Sequence, residues 1–369
     1  MADITISQIT ELQDPKLRAV VNRVFLTARM AAEKAVAHAS EPANFPIAPD
    51  PKSLERIFLS RFKRMPAERQ QAAVLKVMPG VKASEAARTR IYGDLAKVNI
   101  RQAKSVEDQA SALPFPAKLK LPPDHLKSIT NLHGQIYGPG VIIPAGPVEA
   151  SGKNGEVSAL PATTNKLEFR VHKVICVDET NGFLGSEAGN DEIALGCTTV
   201  DETGDVQKTS PFTVGNNFDD GEQKVFSPPR RLHWFNLLEG NKFPKSYFVT
   251  MILAEKDMGD LGDYVIELMN KVKPKVKEEI TKAGIAASES GPIVSLIIAA
   301  AVNFVVDKVF QWLANLIGDD VFKPVTASIS IQSLTQRFTG GRTDCPDGVA
   351  TFKGHGGQYK IIYDWRLYA

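Results

Sequence analysis

Apolar residues near the start of the chain recur at intervals of three and four. Leu17, Val20, Val21, Val24, Ala28, Ala31 and Ala35 form one helical row, and Asp14-Pro15 can cap and open that helix. The proline-rich stretch 42–51 ends it. The pattern predicts further helices over 54–62, from Pro66 to about Met78-Pro79-Gly80, and from a Ser84 cap to about Ser105. Prolines and glycines then crowd residues 111–164, which read as an extended connection, although Val141-Ile142-Ile143 could add a strand. From Lys166 the period changes to two. Strand-like runs occupy 166–177, 193–199, 206–214, 232–238, 247–254, 325–335, 349–352 and 359–367, interrupted by helical patterns over 261–283 and 292–317. The expected fold is α+β: a helical region (1–110), a Pro/Gly-rich connection (111–164), and an antiparallel β-sandwich of about eight strands (165–369). A hydrophobic helical hairpin is inserted in the sandwich at about 258–318.

Charge divides the chain the same way. The whole carries 44 Lys plus Arg against 42 Asp plus Glu, a formal net charge of +2. Residues 1–150 hold 21 basic and 14 acidic residues, and residues 151–369 hold 23 and 28. Near-neutrality argues against nucleic acid as a partner. The basic helices could instead dock onto an acidic partner, which makes a structural or assembly component the first alternative function. The stretch 176–222 holds eleven acids and one base, Lys208.

Strand parity gives those acids a location. If the first five strands alternate in direction, the loops after 177, around 219–222 and after 254 share one end of the sandwich. The loop Asp201-Glu202-Thr203-Gly204-Asp205 lies at the other. Carboxylates converging on loops suit Ca2+, which takes six to eight oxygen ligands. Asp178, the Asp191-Glu192 pair and Glu255-Lys256-Asp257 are the pieces in which the chain loosely resembles C2-type domains, calcium- and phospholipid-binding β-sandwiches with aspartates on neighbouring loops. The resemblance covers at most 165–265. It departs from the family in the inserted helices and in Glu255-Lys256-Asp257, where Asp-x-Asp is usual. The candidate Ca2+ ligands are Asp178, Asp191, Asp219, Asp220 and Asp257. Hydrated loops are the ordinary alternative.

The run Pro292 to Ile317 is apolar nearly all round. It is long enough to cross a hydrocarbon core of about 30 Å as a helix. Asp307 and Lys308 in its middle favour burial inside the protein. A membrane-active hairpin would instead use Ile297, Ile298, Phe304, Phe310 and Trp312 for lipid contact, with 288–291 as the hinge.

Other chemistry is sparse. Cys176, Cys197 and Cys345 have no metal or redox spacing and read as buried thiols made in a reducing compartment. The N-terminal stretch has no signal-peptide pattern, so synthesis in the cytoplasm is expected, with release by a non-classical route left open. His172 and Cys176 would lie too far apart on a strand to share a metal. There is no P-loop, no dinucleotide fingerprint and no H-E-x-x-H, and Gly185-Ser186-Glu187-Ala188-Gly189 fails the G-x-S-x-G spacing. The sequence therefore points away from catalysis, towards a non-enzymatic binding protein, calcium-responsive and membrane-interacting in the manner of an effector or toxin. An enzyme with an unfamiliar carboxylate site on the acidic loops is the remaining alternative; its mark would be an acid titrating well above the usual range. The oligomeric state is not encoded in any motif.

Overall fold

The computed structural model describes residues 3–7, 12, 14–122, 125, 141–144, 163–179, 191–202, 205–240, 243–255, 261–285, 292–317, 322, 324–338, 341–354 and 357–369. The chain begins with β1 (Asp3–Ser7) and then runs through five helices: α1 (Pro15–Ser40), α2 (Leu54–Arg64), α3 (Ala67–Val81), α4 (Glu85–Tyr92) and α5 (Val106–Ala112). The strands β2 (Val141–Pro144), β3 (Lys166–Asp178), β4 (Asp191–Val200), β5 (Val206–Phe218), β6 (Gln223–Asn236) and β7 (Lys245–Glu255) follow. The helices α6 (Leu261–Ala283) and α7 (Pro292–Ile317) then precede β8 (Val325–Ile331), β9 (Gly348–Gly354) and β10 (Gly357–Tyr368).

The fold is α+β, with antiparallel strand pairs in two sheets. One sheet has the order β2-β1-β8-β7-β4-β5 and the other β6-β3-β10-β9. The eight strands read from the sequence are all present, and β1 and β2 extend the larger sheet beyond β8. β6 is nine residues longer at its start than its pattern implied, because Pro228 and Pro229 obscure it. Prolines are tolerated there because β6 is an edge strand.

Asp14 caps α1 as expected, its Oδ1 accepting the N–H of Lys16 at 3.0 Å and of Leu17 at 2.8 Å. The helix opened by Ser84 is shorter than its pattern implied. It ends at Tyr92, where Gly93 adopts φ 57° and starts a 3-10 turn over 93–97. Ser105 then caps a separate α5, its Oγ accepting the N–H of Asp108 at 3.0 Å.

Two cores follow from strand parity. On β7, Tyr247, Val249, Met251 and Leu253 point into the space between the sheets, while Phe248, Ile252 and Ala254 point the other way. Both rows are buried, so neither row of this strand faces solvent. β8 does the same with different chemistry. Ala327, Ile329 and Ile331 enter the sandwich core, and Thr326, Ser328 and Ser330 are buried on the opposite side. The hydroxyls there pair with β7: Ser246 with Ser330 at 2.6 Å and Thr250 with Thr326 at 2.7 Å. Pairing removes the cost of burying them.

The second side of the six-stranded sheet is covered by helices. α6 and α7 pack on it, and α1 packs on both. One apolar core joins α1 to α5, the α6–α7 pair, and Val200, Phe248, Ile252 and Ala254 of the sheet. Segments distant in the sequence, 15–112 and 261–317, thus share a single helical layer. Burial of a side chain such as Phe248, 1% exposed, is worth about 1.5–3 kcal/mol.

Candidate functional site

Of the acids singled out in the sequence, Asp178, Asp191, Asp219 and Asp220 lie at one end of the sandwich, where Asp219 and Asp220 hold a turn. Asp178 ends β3 and is exposed. Asp219 and Asp220 sit in the β5–β6 turn, which Gly221 closes at φ 79°. The Asp220 carboxylate accepts the Glu179 N–H at 2.8 Å, and the Asp219 carboxylate accepts the Asp220 N–H at 2.8 Å. The Cys176 carbonyl takes the Gly221 N–H at 3.1 Å, which ties the turn to β3. Asp191 opens β4 opposite Phe218, at the same end, and Asp257 lies outside the described residues. Among the described residues, Asp178, Asp219 and Asp220 do not join a group of three metal-ligating side chains.

At the other end, carboxylates from two loops meet. Asp201, Asp205 and Glu239 bring one ligand oxygen each within 4.8 Å of one another. The β4–β5 loop is closed by the Asp205 N–H donating to Asp201 Oδ1 at 2.9 Å, and by the Asp201 N–H donating to the Asp205 carbonyl at 3.1 Å. The β6–β7 turn is shaped by Lys245, whose ammonium, 2% exposed, donates to the carbonyls of Leu237 (2.6 Å), Glu239 and Gly240. Gly240 has φ 71°, and a Cβ there would stand 2.9 Å from Glu202 Oε1. Burial, aided by the neighbouring Asp201 charge and opposed by Lys245 and the Tyr247 hydroxyl, pushes the Glu202 carboxyl up to about 7. Burial pushes His233 down to about 4, so it is neutral at physiological pH. From the helical layer, Lys273 of α6 reaches Asp205 at 3.0 Å.

A third place is the outer face of the four-stranded sheet. The inner row of β3 (Leu167, Phe169, Val171) fills the sandwich core, so Glu168, Arg170 and His172 point outward. Registers align Trp234 with Glu168 and Arg366, and Val225 with Lys173, Ile362 and Val349. Arg170 clamps Asp364 with both ends of its guanidinium, Nε at 2.9 Å, and His172 Nε2 lies 3.2 Å from the same carboxylate. Asp347 completes a possible ligand set there with His172 and Asp364. A metal would have to share Asp364 with a fixed guanidinium, which does not suit a cation site. Trp234 is 44% exposed with the Lys166 ammonium 5.3 Å from its ring centre, and Val225 and Val349 are 58% and 40% exposed.

The residues proposed for lipid contact are placed in the helical layer. Ile297 and Phe304 are buried, and Ile298 and Trp312 are half-buried against the same core. The Arg29 guanidinium lies over the Trp312 ring at 5.7 Å. The side chain of Phe310 lies outside the described residues. Among the described residues, no helix is long and apolar enough to cross a membrane. The three cysteines are free and buried, and burial pushes the Cys197 and Cys345 thiols up to about 12.

Sequence reading missed Glu239 as a partner of the 201–205 loop. The signal was available in the parity that put three acidic loops at one end. It also places the β4–β5 and β6–β7 connections together at the other. No family model, no curated protein and no solved structure matches this chain.

Proposed function

We propose that this is a non-enzymatic binding protein that presents the outer face of its four-stranded sheet to an acidic protein partner. What supports the reading is the inequality of the four sheet faces. Both faces of the six-stranded sheet and the inner face of the smaller one contribute to the two apolar cores. The remaining face carries Lys166, Lys173, Arg231, Lys353, Lys360 and Arg366 around the exposed Trp234. Of its carboxylates, Glu168 and Asp364 are already paired, with Arg231 at 3.2 Å and with Arg170, and Asp347 lies 3.8 Å from His172 Nε2. The surplus is therefore positive. An aromatic residue among arginines and exposed aliphatics is the composition of interface centres.

The basic N-terminal helices are less suited to the role, because several of their charges are spent inside the molecule. Arg23 and Lys34 are buried with Glu279 and Glu55. The test is binding of a fluorescent polyglutamate peptide to the full chain. Binding at low salt that weakens as salt is raised is expected. The paired change K173E/K360E should abolish it, and a matched change on the helical layer, K63E/R64E, should not. Equal binding by the two variants, or none by the wild type, refutes the reading.

A further inference from the structure

We propose, resting on the acidic-partner reading above, that the free edge of β9 takes an extended acidic segment of that partner as an added strand. The edge strands of the two sheets are β2, β5, β6 and β9. Proline lacks the N–H that strand pairing needs, and it stands in all of them but β9: Pro144 in β2, Pro211 in β5, Pro228 and Pro229 in β6. In β9, Ala350 and Phe352 are buried in the sandwich core while Val349, Thr351 and Lys353 are exposed, the regular alternation of a strand that another can extend. Among the described residues, no strand pairs with its outer edge, and no backbone hydrogen bond from outside the ladder reaches residues 349–353.

The layering of the sheets leaves a place for such a strand. β5 packs over β6 and β8 over β9, so the larger sheet runs on past the smaller one through β1 and β2. A strand added to β9, about 4.8 Å further out, would lie beneath β1. The register carries the row of Ile329, a sandwich-core residue, on to Ile6 of β1 and Val141 of β2. The inner row of the added strand would continue the core row of Ala350 and Phe352, and aliphatic residues suit it.

Charge selects what the outer row carries. That row would lie beside Val349, Thr351 and Lys353, with Lys360 of β10 opposite Thr351. β9 itself holds no acid. Asp347, just before it, lies 3.8 Å from His172 Nε2, and Asp178, in the row of Lys353, is two strands away, roughly 10 Å. Opposite charges across neighbouring strands are favourable and like charges are not. The edge therefore suits acidic residues at alternate positions of the added strand. The same lysines disfavour a second copy of this chain, because β9 against β9 would join two basic faces.

The experiment measures the fluorescence anisotropy of labelled peptides added to the full chain. A peptide of alternating glutamate and valine should bind at least tenfold more tightly than polyglutamate of equal length. N-methylation of one alternate set of its amides, the glutamates or the valines, should abolish that gain, and methylation of the other set should leave it, because only one set faces β9. K353E, at an exposed position, should weaken binding at least tenfold. With peptide bound, hydrogen–deuterium exchange should slow in 348–354 and not in 223–236. No gain over polyglutamate, equal effects of the two methylated sets, or slowed exchange in 223–236 instead of 348–354 overturns strand addition, while polyglutamate binding leaves the acidic-partner reading standing. A chain that is already dimeric without peptide, with 348–354 protected, assigns the edge to a second copy and overturns it as well. If neither peptide binds, both readings fall.

Discussion

Arg23 is where the docking of the hairpin onto the N-terminal helices can be measured. It projects from α1, is 5% exposed, and sets its Nε 2.8 Å from Glu279 of α6, itself 9% exposed. It also pairs with Asp94 and donates to the Ala110 carbonyl at 3.3 Å. Arg23→Met removes the charge and keeps the apolar stem. Breaking a buried pair from one side costs about 3–5 kcal/mol, because the other charge stays buried. Lys282 remains 3.5 Å from Glu279, so the lower end, about 3 kcal/mol, is expected. That is a large share of a total stability of about 5–15 kcal/mol. The sign with pH follows from Glu279. Burial already holds its carboxyl above the usual range, and Arg23 opposes that rise. Without Arg23 the folded-state value climbs further. A carboxyl raised in the fold leaves stability intact below its unfolded value and removes it as pH rises through the folded one. The R23M deficit should therefore be greatest near neutrality and shrink towards acid, and R23M/E279Q should recover most of it. Urea unfolding followed by far-UV circular dichroism at about pH 5 and about pH 8 measures this. A loss under about 1 kcal/mol, equal at both pH values, would refute the burial of Glu279 against α1.

Three further outcomes are expected. Lys34→Met removes an ammonium with 0% exposure that donates to the carbonyls of Gln102 (2.9 Å) and Lys104 (2.8 Å) beside buried Glu55; urea unfolding should show a loss of about 3–5 kcal/mol. Phe304→Ala, at a position 5% exposed, should cost about 3–5 kcal/mol by the same measurement. An unchanged stability would mean that α7 does not pack as described. Gly348→Ala would place a Cβ 2.5 Å from the Tyr363 ring, so a thermal-unfolding loss equivalent to about 1–3 kcal/mol is expected.

The sheet architecture was legible because its signals are local. Leu167, Phe169 and Val171 alternate with Glu168, Arg170 and His172, and period two assigns each row to a face without knowledge of what covers it. The same rule gave the α1 row and its Asp14 cap. The stop in α4 was less legible, since Gly93 breaks the helix only through a positive φ that other residues rarely adopt.

The helical layer depends on information of a different kind. An apolar helix such as α7 must be covered on nearly all sides, and beyond the charges of Asp307 and Lys308 its own residues do not say by what. The choice is made by α1, more than 250 residues earlier, whose Ala28, Ala31, Ala32 and Ala35 are buried in the same core as Ile297, Ala300, Ala301 and Phe304. Small side chains on one helix allow close approach to another. A clue did stand in β7, whose run from Tyr247 to Ala254 has almost no polar position in either parity. A strand of a two-layer sandwich needs only one apolar face, so an unbroken run calls for a third layer. The sequence holds only two stretches of helix to supply it, the N-terminal region and the insertion, and the strand therefore implies that they meet on its outer side. The same reasoning separates the charges. Averaged over 151–369 the sandwich is acidic, yet its acids gather in loops while the outward row of β3 and its neighbours keeps Lys166, Lys173 and Arg366. Net charge by segment conceals this, because the partition between loop and face is set by strand register rather than by composition.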